Sequence, residues 1–296
     1  MKKILYVILI ALASVTVNAK SSDNNNTYYT NNIGIEITEN QYNNLKGLGY
    51  TDNQIAKMDW QTFNKYKNVN ATIADQTVNH YVKVSYLKNG IETTKYEVVT
   101  EKEFNGRLIN PGAYLQRVSG NYYTGMIAND SLAVVSTISN IDEDYMQYRV
   151  DVYNYDIPTT RSFDIYGIGI DNDKVHVASA VECKQSWEYT SGSSDYSLGC
   201  YPKTQATGGS AMFELPTGSL SSLETYISFY VAKLPNVGTV HSLQAVGDYA
   251  HAVSSVTNAV YNYYTVHIGG INVYSPYGSS YDTFNSPSPA AFNGTW

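Results

Sequence analysis

The chain has 296 residues, 26 acidic against 19 basic side chains, a formal charge of −7 and a charged fraction of only 15%. An acidic, sparsely charged surface argues against nucleic acid or anionic membrane as a partner, because both are held by clustered Lys and Arg. Tyrosine numbers 29 against 7 phenylalanines, and a side chain that joins an apolar ring to a polar tip at high strand propensity points to half-wet β-sheet surfaces.

Residues 1–19 open with Lys2 and Lys3, continue through an apolar run over residues 4–13, and end on Val17-Asn18-Ala19, a small-x-Ala site. This pattern predicts a secretory signal peptide cleaved after Ala19. Its apolar run is too short for a permanent span, and no later run approaches ~18 apolar residues, so no membrane-spanning segment is expected. The expected location is secreted, extracellular or loosely wall-associated. Cleavage would remove two of the 19 basic residues and none of the 26 acidic ones, taking the charge from −7 to −9. Cys183 and Cys200 are the two cysteines, and in an exported chain they predict one disulfide.

Residues 20–36 read as a polar leader. Over residues 37–68, Thr38 followed by Gln41 and Thr51 followed by Gln54 are two capping boxes, and Asp59 caps a third short helix. Tyr42, Leu45 and Leu48 recur at helical spacing, and Gly47 and Gly49 supply a stop. The turn Leu48-Gly49-Tyr50-Thr51 resembles the Gly-aromatic turn of ubiquitin-associated three-helix modules, and the resemblance implies the shape of three short packed helices. A module this small needs a supporting surface.

Residues 69–76 read as a linker, and a β domain is expected over residues 77–274. Its first hairpin turns near Asn89-Gly90. A three-residue loop of Lys88, Asn89 and Gly90 would set Val82 opposite Tyr96 and Val84 opposite Thr94, and is preferred to the two-residue register that pairs both valines with charged residues. Residues 101–110 fit a short helix or a loop. Short strands are expected over residues 114–118, 122–128 and 132–138. The clearest strand is residues 145–152, where Met146, Tyr148, Val150 and Val152 share one parity and Gln147, Arg149 and Asp151 the other, the signature of one buried face. A second strand run begins at Ser162 and is broken by Asp171-Asn172-Asp173, after which Val175 and Val177 resume the alternation in a stretch that runs to Cys183; then come a hairpin between the cysteines and strands over 211–215 and 226–234. Residues 241–260 fit a strand better than a helix because Gly247 and β-branched residues interrupt the helical spacing. Residues 275–296, with three of the eight prolines, read as an irregular tail. Strands about ten residues apart with few helices between them predict an antiparallel β-sandwich or jelly roll behind a small three-helix module.

Candidate chemistry is sparse. No His pair has metal-ligand spacing and no Gly-x-Ser-x-Gly elbow is present. Asp171 and Asp173 form an Asp-x-Asp loop that could offer hard oxygens to calcium, the one cofactor considered. A glycosidase would need two convergent carboxylates, for which Asp151, Glu182 and Glu188 are the candidates. Trp187 and Tyr189, inside the cysteine-bounded hairpin, and Tyr201 just after it are the candidate ligand-binding aromatics, and Trp60 and Trp296 add to the aromatic surplus. Aromatic faces stack on sugar rings while Asn, Asp and Ser bond to hydroxyls. The leading expectation is therefore a secreted, non-catalytic binding or cell-surface interaction protein for an extracellular glycan, wall polymer or surface protein. A secreted polysaccharide hydrolase and a β-rich pore-former, whose hairpins would include residues 131–138, are the alternatives.

Overall fold

The computed structural model describes residues 27–88, 91–109, 114–115, 125–192, 194–197 and 200–296; the signal peptide expected over residues 1–19 lies outside the described residues. The chain runs through β1 (Tyr29–Thr30), β2 (Glu36–Ile37), α1 (Glu39–Gly47), α2 (Asp52–Ala56), α3 (Trp60–Tyr66), β3 (Thr72–Lys88), β4 (Ile91–Val99), α4 (Glu101–Ile109) and β5 (Tyr114–Leu115). It continues with β6 (Gly125–Asn140), β7 (Tyr145–Asn154), β8 (Phe163–Ile170), β9 (Val175–Val177), β10 (Glu182–Tyr189), β11 (Ser194–Ser197) and β12 (Cys200–Gln205). The last strands are β13 (Gly208–Glu214), β14 (Leu220–Lys233), β15 (Ser242–Ala252), β16 (Tyr264–His267), β17 (Gly270–Val273), β18 (Tyr281–Asn285) and β19 (Ala290–Asn293).

Among the described residues, one sheet has nine strands, ordered β11-β10-β14-β7-β6-β3-β4 with β5 beside β6 and β9 beside β14. The other has six, ordered β12-β13-β8-β15-β18 with β19 beside β15. Neighbouring strands pair antiparallel in both. The fold is mainly β, an antiparallel sandwich with a three-helix module at its N-terminal end. The sheets meet through alternate residues: Met146, Tyr148, Val150 and Val152 of β7 and Ile227, Phe229 and Val231 of β14 pack with Tyr166 and Ile168 of β8 and Leu243, Ala245 and Tyr249 of β15. Gly247 lets the two layers approach, since a Cβ there would lie 2.4 Å from Ser136 Oγ and 2.6 Å from Val150 Cγ2. Its N–H donates instead to Ser136 Oγ at 3.0 Å across the layers. Cys183 on β10 and Cys200 on β12 are joined as a disulfide, so the bond ties the first sheet to the second.

The alternation in β7 marks the core face correctly, but its polar face is also buried: Gln147, Arg149 and Asp151 are each 1% exposed. The three-helix module covers them. Both capping boxes form, with Thr38 and Thr51 each accepting the N–H of the glutamine three residues on. Ile35, Ile37, Leu45, Leu48, Ile55 and Phe63 make a small core that is closed by Tyr226 of β14. Each such side chain contributes about 1.5–3 kcal/mol by burial, and the supporting surface the module needs is the outer face of β7, β10 and β14. Gly49 sits at φ +86, where a side chain would be strained, and it lies against Arg149.

Five expectations need correction. The polar leader is not free of structure beyond residue 26, because Asn31 is buried, donates to Met58 O at 2.8 Å and accepts from Ile35 N–H at 2.9 Å. The linker expected over 69–76 is already β3 from Thr72. The first hairpin takes the two-residue register, with Val82 opposite Glu97 and Val84 opposite Lys95. That register is tolerable because α4 covers this side of the sheet, packing Phe104 with Val82, Val84 and Val99, while Lys95 and Glu97 pair with each other at 2.8 Å. A strand buried on both faces has no parity for the sequence to reveal. The strands expected separately over 122–128 and 132–138 are one strand, β6, whose described part starts at Gly125; a register shift opposite Val82 and Val84 stands where a turn was expected. Finally, residues 275–296 are not irregular throughout: β18 and β19 pair with successive halves of β15. The Ser-Pro-Ser-Pro run that suggested a tail only separates them. Of residues 241–260, residues 242–252 form a strand, as expected, but the rest does not: the chain bends after Ala252 and turns through a short 3-10 helix at Asn258–Asn262.

Candidate functional site

The second sheet has a covered outer face. Ile165, Met212, Ala250 and Ala252 point outward from β8, β13 and β15, and the β16–β17 hairpin closes over them with Tyr264, Val266 and Ile271. Strand alternation then turns the hairpin's other residues to solvent. Thr265 pairs with Asn272, and Tyr274 N–H donates to Tyr263 O at 2.7 Å, extending the ladder by one rung. Tyr263 and Tyr274 are 38% and 49% exposed.

These tyrosines are held in place. Tyr263 and Tyr277 meet edge to face with ring centroids 5.3 Å apart. The Tyr274 hydroxyl lies 2.7 Å from Thr265 Oγ1, and the Tyr277 hydroxyl 3.2 Å from Thr257 Oγ1. Tyr261 donates its hydroxyl to Pro202 O at 2.8 Å. Below them Lys203 donates to Tyr261 O at 3.0 Å and Tyr264 O at 2.9 Å, with its ammonium over both rings at 5.2 and 4.4 Å. Burial lowers the Lys203 ammonium and raises the Tyr264 phenol from their ordinary values. The product is two outward-facing phenol rings, Tyr263 and Tyr274, backed by the half-buried Tyr261 and Tyr277 and edged by Thr265, Asn272 and His267, with the nearby lysine turned inward. Such a face can stack on an uncharged ring and exchange hydrogen bonds with its hydroxyls.

No family model and no curated protein matches the chain. Among solved structures it is similar to the C-terminal domain of the Streptococcus agalactiae AgI/II polypeptide BspA, at 7% identity over 75% of this chain and 81% of that one, with a TM-score of 0.31. A structure described as BspA_C_WT gives 8% identity, the same coverage and a TM-score of 0.29. At such scores the likeness carries no argument about fold or function.

The residues singled out from sequence are not gathered at one point. Tyr201 is on the outer side of the second sheet, 42% exposed, 6.3 Å from the Phe163 ring and next to the Pro202 carbonyl that Tyr261 binds. It therefore borders the tyrosine face. Trp187 shares the parity of Cys183 and Gln185, which reach across to the second sheet; it is half-buried, with its indole N–H enclosed and unpartnered. Tyr189 is half-buried against Gly218. Asp171 accepts the Gln244 N–H at 3.1 Å and faces Lys174 Nζ at 3.5 Å, whereas Asp173 is exposed. Among the described residues no group of three or more His, Cys, Asp or Glu is placed to hold a metal.

The candidate catalytic carboxylates are all turned toward the helical module. Asp151 is paired with Arg149, Glu188 with Lys57 at 2.6 Å, and Glu182 with Lys65 and Tyr66. Inside the sandwich, Asp164 accepts from Tyr249 and from Ala252 N–H and lies 3.0 Å from His251 Nδ1; it fastens β8 to β15. Sequence reasoning missed Tyr263, Tyr274 and Tyr277. The available signal was the density of tyrosine over 261–281, with Tyr261, Tyr263, Tyr264, Tyr274, Tyr277 and Tyr281 in 21 positions.

Proposed function

We propose that this is an extracellular, non-catalytic binding protein that holds a neutral glycan or wall polysaccharide on the tyrosine face of the β16–β17 hairpin. The observation that carries the reading is the exposed pair Tyr263 and Tyr274, the first braced by the half-buried Tyr277 and the second by Thr265, with Asn272 at the edge. A phenol ring offers large contact area at low cost in side-chain entropy, which is why tyrosine dominates many recognition surfaces. Tyr201 extends the face on its β12 side. Trp187 and Tyr189, on the far side of the second sheet, would contribute through the order of the disulfide-stapled hairpin rather than by contact. No helix among the described residues is long and apolar enough to cross a membrane.

Incubating the mature chain with a panel of insoluble neutral polysaccharides and wall preparations, and assaying the supernatant for reducing sugar, tests the reading. Retention on at least one polymer without sugar release is expected, and Tyr263→Ala/Tyr274→Ala should abolish it. Release of sugar, or retention that the double variant leaves intact, would overturn the proposal.

A further inference from the structure

The β16–β17 hairpin sets three rungs on its outward face: Tyr263 beside Tyr274, Thr265 beside Asn272, and His267 beside Gly270 at the turn. Most polar groups on this face are already committed. The Tyr274 hydroxyl is bonded to Thr265, the Tyr277 hydroxyl to Thr257, and Tyr261 donates to Pro202 O. The side-chain amide of the exposed Asn272 is held from the turn side, by the half-buried His267.

That contact fixes which way the amide points. The Gly269 N–H donates to His267 Nδ1 at 2.9 Å. A backbone N–H can only donate, so Nδ1 carries a lone pair and the proton of the neutral ring sits on Nε2. Nε2 in turn stands 2.7 Å from the end of the Asn272 amide. With Nδ2 at that place a donor would face a donor, and the amide, unlike the backbone, can turn over. The Asn272 oxygen therefore accepts from Nε2–H. Its Nδ2 is directed away from His267, to the side where Tyr274 and solvent lie.

Asn272 and Tyr274 share one face of β17 and its extension, about 7 Å apart along the strand. A sugar ring stacked on Tyr274 and bearing an N-acyl arm carries the carbonyl oxygen about 4 Å from the ring centre. The remaining gap to Asn272 is about one hydrogen-bond length, ~3 Å. A bare hydroxyl in place of the arm stops about 1 Å short. A carbonyl oxygen only accepts, so it matches Nδ2–H and would be refused by the amide turned the other way. We propose, taking the tyrosine face as the binding surface, that His267 is a positioning residue that holds Asn272 as a hydrogen-bond donor, and that the face consequently prefers a polymer of N-acetylated amino sugars to its hydroxyl-only counterpart.

Two measurements on the full mature chain test this. NMR of the imidazole nitrogens above neutral pH reads the tautomer with no ligand present. The Nε2–H form is expected, and the Nδ1–H form would overturn the proposal. Calorimetric titration with short soluble β-linked oligomers of N-acetylglucosamine and of glucose reads the preference. The acetylated oligomer should bind about three- to tenfold more tightly. His267→Phe, which keeps a flat ring but lets the amide turn, should narrow that ratio to below about twofold, and Asn272→Asp, which offers oxygen alone, should remove it. Because each ratio is taken within one protein, a general loss of stability does not mimic the effect. Equal affinity for the two oligomers in the wild type, or a preference that either variant retains, would overturn the proposal and leave the tyrosine face standing. Binding of neither oligomer would also overturn it, and the separate assay of polymer retention then decides whether the tyrosine face falls with it.

Discussion

Replacing Arg149 by methionine should undock the helical module. The guanidinium donates from Nε to Asp151 Oδ2 at 2.8 Å and from Nη2 to Asp151 Oδ1 at 2.7 Å and Gln54 Oε1 at 3.0 Å. It lies between two rings, 4.1 Å from Tyr50 and 3.9 Å from Tyr226. Gln54 completes the circuit by donating to Asp151 Oδ1 at 2.8 Å, so one helix-capping residue also fastens the module to β7. Removing one member of a buried ion pair costs about 3–5 kcal/mol, chiefly because the other charge is left uncompensated. The desolvated cation–ring contacts are worth about 2 kcal/mol in isolation. They are not additive with the pair, and Arg149 Nη1 is itself buried without a partner, so the expected loss is about 3–4 kcal/mol. A loss of this size should appear in hydrogen exchange as lost protection of amides over residues 39–66, with β7 and β14 still protected. Arg149→Met/Asp151→Leu removes both charges and should recover more than half of the loss. A module still protected in Arg149→Met, or a double variant no more stable than the single one, would show that the Arg149–Asp151 pair does not hold the module.

Asp248 is buried, with one carboxylate oxygen accepting the Ser286 N–H at 2.9 Å and the other unpartnered, and burial pushes its pKa up to about 8 against the opposing Ser286 bond. Tyr81 is the titratable neighbour that feels its charge. The folded state therefore holds a proton that the unfolded state has released, so stability should fall by about 1.4 kcal/mol per pH unit from about pH 4 to about pH 8. Asp248→Asn should flatten that slope in urea titrations and stabilise the protein by roughly 1–3 kcal/mol at pH 7; an unchanged slope would contradict the assignment. Reducing the Cys183–Cys200 bond, whose partners are 17 residues apart, should cost about 3 kcal/mol and lower Tm by roughly 6–12 °C in a melting scan with reductant.

Much of the fold was legible where one physical preference acts alone. Thr38, Thr51 and Asp59 cap helices because a short oxygen side chain is needed at the first turn, and the parity of Met146, Tyr148, Val150 and Val152 points at the core because alternation is strict in a strand. The same logic misled where a second layer intervened. Gln147, Arg149 and Asp151 look like a solvent face, and nothing local says that Tyr50, Gln54 and Tyr226 will cover them. Val82 and Val84 pair with charged residues because α4 supplies the apolar contact that the register denies them. The candidate site was half legible: tyrosine abundance announced aromatic surface, yet Tyr264 and Tyr263 are neighbours in sequence with opposite fates. Only the seating of the hairpin on Ile165, Met212 and Ala250 decides which ring is buried and which is offered. Trp187 attracted notice as a tryptophan in a stapled loop, but its parity is that of Cys183, and the disulfide itself turns that side toward the second sheet.

The most direct test of the central claim is affinity electrophoresis of the wild-type chain and Tyr263→Ala/Tyr274→Ala through gels containing graded soluble neutral polysaccharide. One polysaccharide should retard the wild type, and the variant, with an unchanged melting temperature, should bind it at least about tenfold more weakly. Equal retardation of the two proteins, or none of either across the series, would contradict it.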